Sequence, residues 1–120
     1  MIHKEQHRLP RQEDRRSTDR FRVEFHTLVS DNSGINAQVG TILDLSLSGC
    51  QVRVPILVYP QLVMELRICA PNVDPPIVVE RAVVQWVQGD KFGLHFLVVD
   101  KSELIRLARV IASLEKEEQQ

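Results

Sequence analysis

The sequence predicts a mainly β protein, a six-stranded antiparallel β-barrel with a C-terminal α-helix and a flexible basic N-terminal arm. Three observations predict this fold. Six apolar segments, several with a period of two, are separated by short turn signals rich in Gly, Pro, Asn and Asp. Six strands with short links favour an antiparallel barrel, which hides its own edges. After Val99 the hydrophobic period changes to that of a helix.

The predicted elements follow from these patterns. The strands are Phe21–Ser30, Ala37–Leu47, Cys50–Val54, Gln61–Ile68, Ile77–Gln88 and Phe92–Val99. A helix is predicted from Lys101 to Glu115, with Asp100 as its cap and Glu103 completing a capping box. Its apolar stripe consists of Leu104, Leu107, Ala108, Ile111 and Leu114. We expect this stripe to cover one end or side of the barrel.

Length and charge limit the classes of function. At 120 residues the chain predicts one domain, divided into a flexible arm at 1–19, the barrel and helix at 20–115, and a polar tail at 116–120. The formal net charge of −1 argues against a general nucleic-acid binder. The basic excess lies in the first 22 residues, whereas the chain end is acidic.

The sequence lacks several patterns that would indicate a membrane, secreted, metal-binding or catalytic protein. No apolar run approaches the ~20 residues that span a bilayer, and no signal-peptide pattern is present, so we expect a cytoplasmic protein without membrane insertion. Cys50 and Cys69 lie among apolar strand residues and are expected to be reduced, buried thiols. No cysteine or histidine spacing supports a metal site or a cofactor, and no catalytic set emerges. We therefore predict that the protein is not an enzyme.

The first candidate binding element is the run Arg15-Arg16-Ser17-Thr18-Asp19-Arg20. A guanidinium can bind a phosphate, or the O6/N7 edge of guanine, through two parallel hydrogen bonds. Arg16 and Arg20 are four residues apart, which places both on one side of the chain in a helix or in a strand. This element predicts an anionic ligand.

The second candidate element is Asp44-Leu45-Ser46-Leu47-Ser48-Gly49. The alternation predicts that Asp44 and Ser46 share the exposed face of a strand. A carboxylate only accepts hydrogen bonds, whereas the N1–H and N2–H₂ groups of guanine only donate them. Gly49 is expected to permit a tight turn and a close approach of ligand to the backbone. Together the two elements point to a guanine nucleotide.

These residues resemble those of the PilZ domain, a bacterial receptor module for cyclic di-GMP. The pattern Arg-x-x-x-Arg followed by Asp-x-Ser-x-x-Gly carries the resemblance, supported by Val84-Gln85-Trp86-Val87 and Phe92-Gly93-Leu94-His95-Phe96. It implies a six-stranded antiparallel β-barrel of PilZ type over roughly residues 15–112. It also implies that cyclic di-GMP is bound by Arg15, Arg16, Arg20, Asp44, Ser46, Gly49 and Trp86.

Two points stay open within this interpretation. Trp86 could lie in the core, the usual place for a large aromatic, or against a guanine base as the resemblance implies. Arg15 could be a solvated arginine. Alternatively, it could help the protein to bind two intercalated molecules of cyclic di-GMP and not a single one.

The expected function is that of a cyclic di-GMP receptor and adaptor, which changes conformation on binding and signals to an unidentified protein effector. One alternative is a PilZ-like protein-interaction module that does not bind nucleotide. The other is a small barrel that binds single-stranded nucleic acid, which would require interleaved aromatics and a basic groove.

Overall fold

The fold consists of six strands followed by one helix. The structure is a computed structural model, and it describes residues 19–31 and 36–118. Its elements are β1 (Phe21–Ser30), β2 (Gln38–Leu45), β3 (Gly49–Arg53), β4 (Val63–Cys69), β5 (Ile77–Gln88), β6 (Lys91–Val98) and α1 (Lys101–Glu118). The strands form a closed antiparallel barrel in the order β1-β2-β3-β6-β5-β4. The predicted barrel and its C-terminal helix are therefore confirmed.

The strand boundaries agree with the prediction to within one residue at most ends. β1 and β5 have the predicted bounds, whereas β2 ends at Leu45 because the chain turns at Ser46. β3 begins at Gly49 rather than Cys50 because Gly49 is paired with His95 of β6. The β3–β6 pairing joins strands that are not consecutive in sequence, and it brings the second candidate element beside the β5–β6 hairpin.

A continuous apolar core fills the barrel. Every strand contributes inward-facing side chains to it, and the helix adds Leu107. The largest fully buried side chains of the strands include Phe92, Ile42, Leu45, Leu66, Ile68, Ile77 and Leu94. Burial of apolar area of this kind is the main favourable term in folding. The outer face of the barrel carries polar side chains together with exposed apolar ones such as Val39, Trp86 and Leu97.

Two β-bulges decide which side chains face outward at the candidate site. Ile42 pairs with Val52 while Asp44 pairs with Gln51, so Leu43 is an extra residue in β2. This bulge lets both Ile42 and Leu45 face the core, although they are three residues apart, while Asp44 faces outward. A second bulge, at Gln85 in β5, turns Trp86 to the outer face.

Helix α1 packs against the barrel through one narrow face. Its buried residues are Leu107, Val110 and Ile111, whereas the predicted stripe also included Leu104, which is 41 % exposed. The helix continues to Glu118, three residues beyond the predicted end. Glu and Lys favour helices, which explains the longer last turn. No helix in residues 19–31 and 36–118 is both long and apolar enough to cross a membrane.

The predicted role of Glu103 in a capping box at the start of α1 is wrong. Glu103 does not reach back to Asp100; its carboxylate instead accepts hydrogen bonds from the backbone N–H of Val78 (2.8 Å) and from Arg106 (2.9 Å). Arg106 also donates to the carbonyl oxygens of Pro75 and Pro76. Glu103 and Arg106 thus fasten the helix to the start of β5.

These contacts predict a pH-dependent stability. The hydrogen bond from Val78, and then that from Arg106, lower the pKa of Glu103 below its ordinary value. As the pH falls, the Glu103 carboxylate is therefore protonated in the unfolded chain before it is protonated in the folded protein. The stability that the ionised Glu103 contributes is complete above about pH 4.3 and is lost as the pH falls through the lowered folded-state pKa. We expect Glu103→Gln to lower the stability at pH 7 by about 1 kcal/mol and to flatten the acid limb of Tm against pH. Glu80→Gln, on the exposed face of β5, is the matched control. Parallel acid limbs for Glu103→Gln and the unmodified protein would contradict the assignment.

Candidate functional site

The two candidate elements meet at the end of the barrel where β1 begins and β2 ends. Nη1 of Arg20 lies 2.9 Å from Oδ1 of Asp44, an ion pair between residues 24 apart in sequence. The Arg20 side chain is 45 % exposed and that of Asp44 is 20 % exposed. The structure therefore brings together one predicted phosphate-binding group and the predicted guanine acceptor, and both reach the surface.

Asp44 is held in a fixed orientation. The backbone N–H of Gln51 donates to the same Oδ1 at 2.9 Å. Among the described residues none donates to Oδ2. Burial, and then the negative charge of Asp44, raise the pKa of the neighbouring Cys50 thiol, so this cysteine stays protonated. Cys50 is buried, as predicted, whereas Cys69 is only partly buried, and both are free thiols.

Ser46 has a different place from the one predicted. It is fully buried, and its hydroxyl accepts hydrogen bonds from the backbone N–H groups of Ser48 (3.2 Å) and Gly49 (3.1 Å). It also lies 3.1 Å from the Gly49 carbonyl, to which it can donate. The prediction that Ser46 shares the exposed face of Asp44 is wrong, because the chain leaves the strand at Leu45 and the side chain closes the turn. Contact between Ser46 and a ligand stays a prediction.

Gly49 is required by strand packing. A Cβ atom at this position would overlap the carbonyl oxygen of Leu94 on β6 and would lie 3.4 Å from its carbonyl carbon. The absence of a side chain thus lets β3 approach β6 closely. Close approach of a ligand to Gly49 stays a prediction.

Trp86 lies outside the core, on the outer face of β5. Val84 pairs with Leu94 and Trp86 pairs with Gly93, so Gln85 is an extra residue. Without this bulge Trp86 would face inward like Val84, two residues earlier. Instead Trp86 is 39 % exposed.

The indole lies flat across Gly93. A Cβ atom added to Gly93 would overlap Nε1 and would lie 2.6 Å from Cε2 and 2.9 Å from Cδ1, as expected when the ring covers the Cα face-on. One face of the ring therefore rests on β6 and the other faces outward.

One row of the barrel surface contains these groups. The paired positions run from Arg22 on β1 through Asp44, Gln51 and Gly93 to Trp86 on β5. Partners in an antiparallel pair point to the same face, so these residues share one outer surface. Arg22 is exposed and adds a cationic group beside Asp44 that was not among the predicted site residues.

Comparison with known proteins gives the family. The model of the PilZ domain matches residues 14–113, and both sequence motifs and the barrel lie in that range. The chain belongs to the PilZ domain family. No curated protein matches this chain significantly.

Solved PilZ structures share the fold. The PilZ domain of CeSA from a cellulose-synthesizing bacterium matches with a TM-score of 0.65 and 15 % identity, over 82 % of this chain and 99 % of that one. The inhibitor of motility of Bacillus subtilis, MotI/DgrA, matches with a TM-score of 0.71 and 14 % identity. That alignment covers 84 % of this chain and 51 % of the other, so the present chain spans about half the length of MotI/DgrA.

Part of this PilZ chain falls outside the described residues, and one groove falls outside the row. Arg15 and Arg16, with all of the predicted arm except Asp19, fall outside the described residues. A groove of about 600 Å³ between α1 and the segment before β5 is lined by residues such as Phe25, Val73 and Val110, and it shares none with the row. In the part of the chain that the structure describes, no cluster of His, Cys, Asp or Glu could hold a metal ion.

Gly93 is a site residue that the sequence interpretation missed, although a signal was present. A two-residue turn at Gly89-Asp90 places Gln88 opposite Lys91 and, by counting, Trp86 opposite Gly93. A glycine opposite a tryptophan indicates a ring folded over the glycine. The pairing of Asp44 with Arg22 lies next to a bulge, so it could not be predicted by counting residues from a turn.

The contact predicts a spectroscopic change in this PilZ protein. In Gly93→Ala the added methyl group displaces the indole from the sheet surface, so we expect its fluorescence emission to shift to the red. Trp86 is the only tryptophan of the sequence, which makes the signal specific. Gly89→Asn is the control, because Gly89 has φ +65°, which Asn tolerates, and no atom lies within 4 Å of its Cβ position. Identical spectra for Gly93→Ala and the unmodified protein would show that the ring does not depend on Gly93.

Proposed function

We propose that this PilZ domain is a receptor for cyclic di-GMP that acts as an adaptor, transmitting ligand binding to a protein effector. PilZ domains are a family of cyclic di-GMP receptors. The observation that supports binding here is the single surface row that runs through Asp44 to the outward-facing Trp86, with Arg20 paired to Asp44. This row offers a cation, a hydrogen-bond acceptor and an aromatic platform. Those are the three groups that a phosphate and a guanine require.

Each group has a distinct role in the proposed complex. The indole of Trp86 stacks on a base, a contact worth about 1–3 kcal/mol per base in single-strand binders. Asp44 accepts hydrogen bonds from the guanine N1–H and N2–H₂. Arg20 binds a phosphate, together with Arg16 and Arg15 from the arm, while Ser46 and Gly49 hold the turn after Asp44.

The ion pair between Arg20 and Asp44 does not prevent this role. An exposed pair of this kind contributes about 0–1 kcal/mol, so ligand contacts can readily replace it. A guanidinium also has five N–H donors, and only one of them is used by Asp44. Arg20 can therefore bind a phosphate while it stays beside the carboxylate.

The proposed signal is an ordering of the arginine arm on the barrel surface, which creates a new face for the effector. Charge-assisted contacts that order a segment are a known switching route. Because the ligand is a nucleotide second messenger, we propose that the protein acts in the cytoplasm, without membrane insertion. We also propose that it uses no cofactor and catalyses no reaction. The number of ligands, one molecule or an intercalated pair, depends in this proposal on Arg15.

A second candidate function is a protein-interaction module that does not bind nucleotide. One observation favours it: the loop between β3 and β4 exposes Leu57 completely and Tyr59 to 62 %, at the end of β3 away from the Asp44–Gly49 turn. Single-stranded nucleic acid is disfavoured, because the formal net charge is −1 and aromatics make up 5 % of the residues.

Thermal unfolding with a panel of nucleotides separates these functions. Cyclic di-GMP at a hundred times its Kd should add about 2.7 kcal/mol of stability and raise Tm, whereas cyclic di-AMP and GTP should raise it far less. An unchanged Tm with every nucleotide would reject the receptor function and favour the interaction module. A shift produced by a single-stranded oligonucleotide and abolished by moderate salt would instead indicate a polyanion site.

A further inference from the structure

Gln51 occupies the centre of the surface row and is not among the residues assigned to the site above. Its neighbours Cys50 and Val52 are fully buried, so the alternation along β3 turns Gln51 to the outer face. It pairs with Asp44 of β2 on one side and with Gly93 of β6 on the other.

Gln51 lies between the Trp86 indole and the Asp44 carboxylate along the row. Neighbouring strands lie about 4.8 Å apart, so the backbones of Trp86 and Asp44 are separated by three steps, about 14 Å. The indole already covers Gly93, which removes one of these steps. A base stacked on the ring with its edge at Asp44 must therefore pass over Gln51.

The backbone N–H of Gln51 donates a hydrogen bond to Oδ1 of Asp44 at 2.9 Å, which fixes the two residues relative to each other. Its side chain is partly exposed, and no residue within 19–31 and 36–118 hydrogen-bonds its carboxamide. The amide nitrogen can thus donate to a ligand from a position directly beside an acceptor. A carboxamide carries two N–H donors and one acceptor oxygen.

This adjacency of acceptor and donor matches one base edge. Along its Watson–Crick edge guanine presents N2–H₂ and N1–H as donors and then O6 as an acceptor. Adenine presents the N1 acceptor and the N6–H₂ donor, the reverse order. An acceptor at Asp44 beside a donor at Gln51 complements guanine and opposes adenine.

We propose that Gln51 is a specificity-determining residue, whose carboxamide N–H₂ donates to O6 of the guanine that Asp44 binds through N1–H and N2–H₂. This inference rests on the proposed function, since it assigns one more contact in the same site. It adds selection against adenine that the arginines and the indole do not supply, because phosphates and base faces are common to both nucleotides.

The test compares cyclic di-GMP and cyclic di-AMP affinities for the full chain and its variants. Gln51→Leu should weaken cyclic di-GMP binding about three- to tenfold, the range of one neutral hydrogen bond. Cyclic di-AMP binding should not weaken, so the preference for guanine falls by the same factor. Gln51→Glu, of nearly equal size, should weaken cyclic di-GMP binding further, because a carboxylate cannot donate to O6.

Gln38→Leu is the matched control, since Gln38 is exposed near the start of β2, away from Asp44. It should bind both nucleotides as the unmodified protein does. Equal affinities for cyclic di-GMP in Gln51→Leu, Gln51→Glu and the unmodified protein would overturn the role of Gln51 and leave the receptor function standing. Equal losses of affinity for both nucleotides would also overturn it, because they would indicate that Gln51 supports the packing of the site and does not read the base. Failure of the unmodified protein to bind cyclic di-GMP would reject the receptor function itself.

Discussion

Asp44→Asn is expected to weaken cyclic di-GMP binding at least tenfold while leaving the barrel folded. The asparagine oxygen can still accept the Gln51 N–H, so the strand pairing around residue 44 is kept. The change removes the negative charge and replaces one acceptor by donors that oppose the N1–H and N2–H₂ of guanine. Hydrogen bonds to a charged group contribute about 1.5–3 kcal/mol each, and about 1.4 kcal/mol corresponds to tenfold in affinity. Isothermal calorimetry measures the change directly.

Asp90→Asn provides the control for this prediction. Asp90 is 56 % exposed and pairs at 3.8 Å with Arg53 at the β5–β6 turn, so the same chemical change is made away from the row. Its binding should equal that of the unmodified protein. Arg20→Ala should also cost at least tenfold, and because Arg20 contacts Asp44, the two losses should not add in the double variant. Undiminished binding in both single variants would place the site elsewhere.

Gly49→Ala is expected to reduce stability by about 1–3 kcal/mol, the usual cost of overpacking. The added methyl group would overlap the Leu94 carbonyl oxygen, and a backbone group in a paired strand cannot move aside as a side-chain tip can. Relief would require β3 and β6 to separate, which would weaken the pairs on either side. Tm should fall by several degrees.

Gly89→Asn is again the comparison, since its Cβ position is open and Asn tolerates the positive φ. Its Tm should stay close to that of the unmodified protein. If Gly49→Ala kept its Tm and lost ligand affinity alone, Gly49 would serve the approach of ligand and not the packing of the strands.

Residue patterns were sufficient to predict most of the fold because the elements depend on local signals. Period-two segments and turn residues gave both ends of β1 and β5, and Asp100 marked the start of the helix. The partner of Glu103 was not predictable, since Val78 comes from a strand 25 residues away and competes with the local cap.

The candidate site was predictable in its residue types but not in its geometry. The pairing of Arg20 with Asp44 depends on tertiary structure, and the orientation of Trp86 depends on a bulge that shifts the period-two pattern. Ser46 was misplaced because the strand pattern was extended through a turn that its own hydroxyl closes. The β3–β6 pairing, which sets Gln51 beside Gly93, joins strands far apart in sequence.

The most direct measurement is a calorimetric titration of the unmodified protein with cyclic di-GMP, and with cyclic di-AMP under the same conditions. Cyclic di-GMP should bind with a Kd of about 1 μM or below, which corresponds to about 8 kcal/mol, and cyclic di-AMP at least tenfold more weakly. Two ligands per chain, falling toward one in Arg15→Leu, would assign Arg15 to an intercalated pair, whereas one ligand per chain would reject that role. Equal affinity for the two nucleotides, or binding of neither, would contradict the proposal that the row from Arg22 to Trp86 recognises guanine.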